Sequence, residues 1–137
     1  MYKVIEINTI KSFGMGSLSF FEAEKDIAFQ IRRIYFIYEV EQNVQRGGHA
    51  HKTLKQFLFC PYGSVEIILD NGQERKSVML DEPNKGLIIE PCIWRDMIWL
   101  ESNSVLCVAA SDYYNELDYL RNYDEFIEYI KEHSCNG

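Results

Sequence analysis

Short runs of strand-forming residues, separated by turn residues, fill most of this chain and constrain its fold more than any other feature. Between Ser64 and Leu80, apolar and polar residues alternate, and the dipeptide Asn71-Gly72 interrupts them. Alternation with a period of two is typical of a strand with one buried face, and Asn-Gly favours a tight hairpin turn. Further runs of this kind lie at Tyr2–Ile7, Ser17–Glu22, Ile31–Val40, Phe57–Cys60, Gly86–Ile89, Met97–Leu100 and Val105–Ala110. Many short strands at regular spacing predict an all-β sandwich or barrel.

Only the end of the chain has helical periodicity. Apolar residues recur at helical spacing over about 123–133, and Asn122 followed by Glu125 resembles a capping arrangement. The 137 residues are enough for one domain and too few for two, and no linker or internal repeat divides them. We therefore expect a single domain over 1–137, with strands to about residue 110 and one C-terminal helix.

The charge and the cysteines limit the classes of partner and compartment. A net charge of −7 argues against nucleic acid or an anionic membrane surface as the main partner. Residues 1–10 contain no apolar signal region, and no segment has the length of a transmembrane helix. The cysteines have no CxxC spacing and are interpreted as reduced thiols: Cys60, Cys92, Cys107 and Cys135. These features predict a soluble, cytoplasmic protein.

The segment RGGHAHK at 46–52 is the first candidate for chemistry. His49 and His51 are two residues apart, so on a strand both imidazoles would point to the same face. Gly47 and Gly48 precede them and allow the backbone to approach closely. A histidine pair on an exposed strand face can also be inert, and the surroundings decide between the two interpretations.

The surroundings have the spacing of the two cupin motifs. His49, His51 and Gln56 resemble the first motif, in which two histidines and a glutamate bind a metal, and GLIIEPCIWRDM at 86–97 resembles the second, which supplies a third histidine. In this chain Gln56 replaces the glutamate and Arg95 the third histidine. A carboxamide is a poor ligand beside a carboxylate, and a guanidinium is always protonated and cannot ligate. The sequence predicts a pocket without metal or other cofactor, whose histidines are available for proton transfer.

The same pocket would contain a cation. Arg95 beside the histidines could stabilise a developing oxyanion such as an enolate, and base plus oxyanion stabiliser suits a proton shift α to a carbonyl. The alternative for Arg95 is a surface ion pair. Tyr35 shares a strand face with Arg33 and could be core packing instead of a catalyst. The acidic residues near the C-terminus are interpreted as a solvated face: Glu116, Asp118, Asp124 and Glu125.

Three blocks together carry a family resemblance. They are RGGHAHK at 46–52, GLIIEPCIWRDM at 86–97 and ASDYYNELDYLRNYDEF at 110–126. They resemble the WxcM-like cupins and, within that group, the dTDP-4-keto-6-deoxy-D-glucose 3,4-ketoisomerases, over almost the whole chain. The third block has no general cupin meaning and is the most specific. The resemblance implies an RmlC-like cupin, an antiparallel double-stranded β-helix or jelly roll, with a C-terminal helix.

The resemblance also implies an activity and a partner. It points to a homodimer that moves the keto group of a dTDP-linked 6-deoxyhexose from C4 to C3 through an enediol. His49 and His51 match the family's catalytic histidines, and either could be the base. Tyr35 matches a pocket tyrosine that could assist proton transfer. Arg33 and Arg46 are candidates to bind the diphosphate, because arginine binds phosphate oxygens in a forked geometry.

Two positions bear on the stereochemistry of the product. Family members that form the galacto product, with an axial C4 hydroxyl, have histidine after the tryptophan of the second motif and arginine before an N-terminal Gly-Ser-Leu. This chain has Arg95 and Met15 instead, so it resembles the branch that makes the gluco product, which would feed an aminotransferase. Met15, Arg95 and Gln56 are therefore expected to bind substrate.

Two rival functions stay open from the sequence. A 3,5-epimerase of nucleotide sugars would need a differently spaced His–Asp pair and a longer chain. A non-catalytic sugar-nucleotide-binding cupin would keep the pocket without turnover. A metal-dependent dioxygenase is less compatible with Gln56 and Arg95.

Overall fold

Two five-stranded antiparallel sheets, a separate hairpin and one terminal helix make up the chain in a computed structural model that describes residues 1–133. The strands are β1 (Tyr2–Glu6), β2 (Asn8–Ser12), β3 (Gly16–Phe20), β4 (Arg33–Ile37), β5 (Gln45–His51), β6 (Gln56–Tyr62), β7 (Val65–Asp70), β8 (Arg75–Leu80), β9 (Lys85–Ile89), β10 (Trp94–Trp99), β11 (Val105–Ala110) and β12 (Tyr119–Leu120). A 3₁₀ helix over Glu116–Asp118 precedes β12, and the helix α1 covers Tyr123–His133. The all-β prediction is confirmed.

Strands that are distant in sequence lie side by side in both large sheets. The first sheet has the order β1-β9-β6-β11-β4, and the second has the order β12-β5-β10-β7-β8. The inner faces of the two sheets enclose a core that includes Leu58, Ile67, Leu87, Trp99 and Val108. Fully burying one such side chain stabilises the fold by roughly 1.5–3 kcal/mol. Because side chains alternate along each strand, every inward-facing position points to this shared interior.

The terminal helix packs against the second sheet. Phe126 is fully buried and forms a small cluster with Trp94 and Leu120. The Tyr123 hydroxyl donates to Asp70 Oδ2 at 2.9 Å, which ties the start of α1 to the end of β7. The helix occupies the expected range, and the Asn122 side chain accepts a hydrogen bond from the backbone of the third residue after it, as the capping arrangement predicts.

The observed strands differ from the predicted ones at the N-terminal hairpin. No strand was expected over β2, yet its residues pair with β3 from Asn8↔Phe20 to Ser12↔Gly16. Gly14 and Gly16 have φ of +69° and +84°, so the glycines interpreted as a chain break form the hairpin turn. The strand expected at Ile31–Val40 covers only Arg33–Ile37, and Glu39 beyond its end adopts a left-handed backbone with φ of +59°, which a strand does not accommodate.

The cysteines agree only in part with the expectation. Cys60 and Cys107 have free thiols. Cys92 is disulfide-bonded, so the prediction of a reduced thiol is wrong there, while Cys135 lies outside the described residues. No helix within residues 1–133 has the length and apolar character needed to cross a membrane. The single-domain organisation and the cytoplasmic location stay predictions.

Candidate active site

An irregularity between β5 and β10 sets the position of the first histidine. Arg95 pairs with His49, whereas the next residue, Asp96, pairs with Gly47, so Gly48 has no partner opposite it. Both glycines have positive φ, +93° at Gly47 and +70° at Gly48. A Cβ on Gly47 would lie 2.8 Å from the carbonyl oxygen of Arg95. The glycine pair therefore permits the bulge that places His49 beside Arg95.

The structure brings the two histidines together inside the barrel, as the HxH spacing predicts. Their ring centroids are 5.0 Å apart, with the rings nearly perpendicular at 83°. His51 is fully buried, whereas His49 is half-buried and lines a cavity of about 280 Å³. Other residues at this cavity include Arg33, Tyr35, Arg46, Tyr119 and Arg121. The two histidines thus differ in position, because His49 lines this cavity, whereas His51 lines a smaller cavity of about 30 Å³ together with Asp118.

A chain of hydrogen bonds links three of the predicted site residues across the two sheets. A guanidinium nitrogen of Arg95 donates to the carboxamide oxygen of Gln56, and Gln56 Nε2 donates to the Tyr35 hydroxyl at 3.0 Å. Arg95 Nη2 also donates to the backbone carbonyl of Ile93 at 2.8 Å. Arg95 is buried, and no carboxylate among residues 1–133 forms an ion pair with it, so the surface ion-pair alternative is wrong.

These residues do not fit a metal ion. The carboxamide oxygen of Gln56 is engaged by the guanidinium of Arg95, which cannot ligate and whose charge would repel a divalent cation. Over the part of the chain that the structure describes, no three His, Cys, Asp or Glu side chains converge in a way that could hold one.

Burial and the Arg95 charge keep both imidazoles neutral. Burial is the larger cause and Arg95 the next, and together they lower the pKa of His49 to about 3. The same two causes, followed by His49, lower the pKa of His51 well below its ordinary value. Burial raises the pKa of Tyr35, so its hydroxyl keeps its proton at neutral pH. The site therefore contains two unprotonated imidazoles that can accept a proton and one neutral phenol.

Asp118 is the site residue that sequence reasoning misplaced. Its Oδ2 lies 3.2 Å from His51 Nδ1, within hydrogen-bond distance, and accepts from the backbone N of Leu54 at 3.3 Å. Its Oδ1 accepts from Thr53 N at 2.9 Å and from Thr53 Oγ1 at 2.7 Å. The side chain is only 13% exposed, so the solvated interpretation is wrong for Asp118. The pairing of Tyr119 with His51 brings it there, and the only signal in the sequence was its place in the specific block 110–126.

The cavity has a cationic rim despite the negative net charge of the chain. Arg33 and Arg46 line it as expected, and Arg121, which the sequence analysis did not select, lines it too. Arg33 lies 5.3 Å above the Tyr35 ring, and its buried Nε has no hydrogen-bond partner in the described part of the chain. Glu116 holds Arg121 through two hydrogen bonds, at 2.6 and 2.9 Å. Three guanidinium groups around one opening favour an anionic ligand.

Gln56 and Arg95, both expected to bind substrate, are buried and do not line this cavity, and Met15 is not brought to it either. Met15 lies in the turn of the β2–β3 hairpin and is 87% exposed. Its expected contact with substrate stays a prediction.

Comparison of folds gives the class of the protein. The RmlC epimerase of Mycobacterium tuberculosis matches with a TM-score of 0.74 over 86% of this chain and 66% of that chain, at 16% identity. A match at this level of identity shows the fold alone, and it confirms an RmlC-like cupin.

Comparison of sequences gives the family. Residues 1–131 match the family model described as FdtA: WxcM-like, C-terminal, and the chain belongs to this family. The TDP-4-oxo-6-deoxy-alpha-D-glucose-3,4-oxoisomerase of Aneurinibacillus thermoaerophilus is 45% identical over 115 residues, which cover 84% of this chain and 83% of that protein.

Solved structures agree with the family assignment. A 3,4-ketoisomerase from Helicobacter canadensis matches with a TM-score of 0.91 at 42% identity, over 95% of this chain and 97% of that chain. QdtA, a sugar 3,4-ketoisomerase from Thermoanaerobacterium thermosaccharolyticum solved with TDP, matches with a TM-score of 0.92 at 40% identity. The match covers 98% of this chain and 97% of that chain. The resemblance drawn from the motifs is confirmed, and the chain is an isomerase of the sugar 3,4-ketoisomerase group.

Proposed function

We propose that this protein converts TDP-4-keto-6-deoxy-D-glucose into TDP-3-keto-6-deoxy-D-glucose. The observation that carries the proposal is a neutral His49 at the wall of the cavity, paired in register with the buried cation Arg95. Among the relatives, a variant of QdtA has been solved with TDP-4-keto-6-deoxyglucose, which supports this substrate for the family member described here.

The chemistry begins with proton removal from C3, which the neighbouring C4 carbonyl acidifies. His49 takes this proton because it lies at the cavity and is unprotonated at neutral pH. The electron pair forms a C3–C4 double bond, and negative charge develops on the C4 oxygen. The charge of Arg95, which no carboxylate among residues 1–133 offsets by an ion pair, stabilises this oxyanion electrostatically.

In the second half of the reaction, the enolate becomes an enediol, and a proton is then added to C4 while the carbonyl forms at C3. The C4 oxygen takes up a proton to give the enediol, the C3 hydroxyl loses its proton, and a proton is delivered to C4 while the C3 carbonyl forms. The Tyr35 hydroxyl, held by Gln56 at the cavity and protonated at neutral pH, is suited to give and recover a proton at a sugar oxygen. Atoms and charge balance without any cofactor, so the reaction is an internal redox exchange between two carbons.

The arginines around the cavity bear on the diphosphate of the substrate, and Arg95 and Met15 bear on the configuration of the product. Arg33 and Arg46, together with Arg121, bind the diphosphate in this proposal. Arg95 and Met15 stand where members forming the galacto product have histidine and arginine, so we assign the gluco product, with an equatorial C4 hydroxyl. Such a 3-ketone is a substrate for transamination at C3.

The proposed homodimer rests on exposed apolar surface. Ile34, Phe36 and Tyr38 project from the outer face of β4 and the loop after it, and each is more than half exposed. β4 is also an edge strand of its sheet. An apolar patch at a sheet edge is typical of a surface that is covered in the assembled protein. In this proposal a second copy covers it, and Met15 contacts substrate only if the hairpin of one copy reaches the cavity of the other.

Product analysis tests the reaction. The protein is incubated with TDP-4-keto-6-deoxyglucose in deuterium oxide, and the product is examined by NMR. We expect a C3 ketone with deuterium at C4 and the gluco configuration. Deuterium at C5 would support the epimerase instead, and binding without turnover would support the non-catalytic cupin. The matched control is His49→Asn, which should bind TDP as the wild type does but give no product.

The oligomeric state tests the homodimer independently. Phe36→Glu introduces a charge on the apolar face of β4, whereas Met79→Glu introduces the same charge on the exposed face of β8 in the other sheet. Light scattering during gel filtration should give a dimer for wild type and Met79→Glu, and a monomer for Phe36→Glu. A monomeric wild type would reject the homodimer.

A further inference from the structure

The two imidazoles of the site are held by different groups. The backbone of Gly47 interacts with the ring of His49 and partly offsets the lowering of its pKa by burial and Arg95. The ring of His51 is hydrogen-bonded to the carboxylate of Asp118 through Nδ1, and its buried Nε2 has no hydrogen-bond partner among residues 1–133. A buried ring nitrogen without a partner is costly in a stable fold, so its placement calls for a functional explanation.

The environment of Asp118 decides which nitrogen of His51 carries the proton. Its two oxygens accept from Thr53 N, Thr53 Oγ1 and Leu54 N, all of them donors. Three donors favour the ionised carboxylate, which can only accept a further hydrogen bond. The bond to His51 therefore requires an Nδ1–H group, and it leaves the lone pair of a neutral ring on Nε2.

The charges around His51 favour the same arrangement. Arg95, His49 and Arg33 are its strongest electrostatic neighbours after burial is taken into account. A lone pair on Nε2 is attracted by the two guanidinium charges among these neighbours, whereas an N–H dipole in its place would be repelled. When His49 accepts the substrate proton, a further positive charge arises 5.0 Å away between ring centroids. An acceptor on Nε2 lowers the cost of forming that imidazolium.

We propose that Asp118 is a positioning residue for the isomerisation, which fixes His51 as the Nδ1–H tautomer so that its Nε2 lone pair stabilises protonated His49. This inference rests on the proposed function and divides the work between the histidines. His49 contacts the substrate, and His51 acts on His49 with an orientation set by a residue 67 positions further along the chain.

A purely structural role for Asp118 is the alternative, because its carboxylate also anchors the turn after β5. Thr53→Ala is the matched control, since it removes the bond from Thr53 Oγ1 to the same carboxylate and leaves His51 untouched. Asp118→Ala removes the acceptor for His51. An imidazole without a partner on Nδ1 favours the Nε2–H tautomer, so the ring should change its protonated nitrogen in this variant.

The experiment combines long-range ¹H–¹⁵N NMR of the histidine rings at pH 7 with steady-state kinetics. In the wild type and in Thr53→Ala, we expect His51 to be protonated on Nδ1 alone. In Asp118→Ala, we expect a shift toward Nε2–H and a loss in kcat of about 10- to 100-fold, less than a positioned base itself contributes. Because Asp118 does not contact substrate, KM should stay within about threefold of the wild-type value.

Each outcome decides the proposal. An Nε2–H or doubly protonated His51 in the wild type overturns it without any variant, which covers the case in which Asp118→Ala does not fold. An unchanged tautomer in Asp118→Ala, or an equal loss of kcat in Thr53→Ala, overturns it as well. If wild-type protein gave no ketoisomerase product, the proposed function would fail, while the ring spectra of the resting protein would still report the state of His51.

Discussion

The guanidinium of Arg95 donates a hydrogen bond to the carboxamide oxygen of Gln56, at the two positions where a metal-binding cupin has ligands. This pairing occupies the oxygen that could have coordinated an ion and places a fixed cation beside it. The same pairing leaves the imidazoles of His49 and His51 available for proton transfer instead of metal ligation. This single contact between the two sheets thus makes the cupin pocket suited to proton transfer and unsuited to metal binding.

Restoring both ligand types should restore metal binding. We expect the double variant Gln56→Glu/Arg95→His to retain about one divalent transition ion per chain after dialysis, since cupin-type sites use three to four such ligands. Gln56→Glu alone should retain far less, because the guanidinium still repels the ion. Metal content is measured by elemental analysis after dialysis against zinc or nickel. A wild-type protein that retained one tightly bound ion per chain would contradict the account of the site.

The pH dependence of activity should lack the inflection of an ordinary histidine. The base must be unprotonated, and activity is lost as the pH falls through its pKa in the folded protein, which burial and Arg95 lower to about 3 for His49. We therefore expect kcat/KM to be flat from pH 8 down to about pH 5. The measurement is kcat/KM across pH 4.5–8 with TDP-4-keto-6-deoxyglucose. An acid limb centred near pH 6.5 would show that the working base is not a His49 with a lowered pKa.

Stability should fall on mild acidification for the same reason. The folded pKa of His49 lies below the unfolded value of about 6.5, so between these values the unfolded state binds more protons. The free energy of unfolding should then decrease as the pH falls from 6.5, by up to about 1.4 kcal/mol per pH unit for each such histidine. Urea unfolding at pH 7, 6 and 5 measures this slope. His49→Gln removes one of the two buried histidines and should make the slope shallower, whereas equal slopes would mean that His49 titrates normally.

The two glycines before His49 should respond differently to the same substitution. A Cβ on Gly47 would meet the Arg95 carbonyl oxygen at 2.8 Å, whereas one on Gly48 would meet only Asp96 Oδ1 at 3.7 Å. Both positions have positive φ, so each alanine costs about 1–2 kcal/mol for the left-handed backbone. Gly47→Ala should cost roughly 1–3 kcal/mol more, because β5 must move away from β10.

Kinetics separate this effect from a general loss of stability. Movement of β5 changes the position of His49 against Arg95, so Gly47→Ala should also lower kcat, while Gly48→Ala should leave it near the wild-type value. Urea unfolding and product formation are measured for both variants. Equal destabilisation and equal kcat in the two variants would show that the close approach to Arg95 has no role.

The site residues separate into those that local sequence could find and those that it could not. His49 and His51 were found because their spacing puts them on one strand face, and Gln56 and Arg95 because they interrupt recognisable motifs. Asp118 and Arg121 were missed, since an acidic or basic residue in a polar segment has the same local pattern whether it is solvated or inside a site. Met15 was selected for its place before Gly-Ser-Leu, but in the described chain it does not line the cavity.

The sequence by itself determined the strand periodicity, the terminal helix, the pair of imidazoles on one face and the loss of two metal ligands, because each depends on residues that are neighbours in the chain. Only the tertiary structure decided which histidine reaches the cavity, which carboxylate supports the other, and how far burial lowers their pKa values. Those properties arise where β4, β5, β10 and β12 converge, and the distance from His51 to Asp118 is 67 residues along the chain but 3.2 Å between atoms. Electrostatics in a protein interior depend on that second distance.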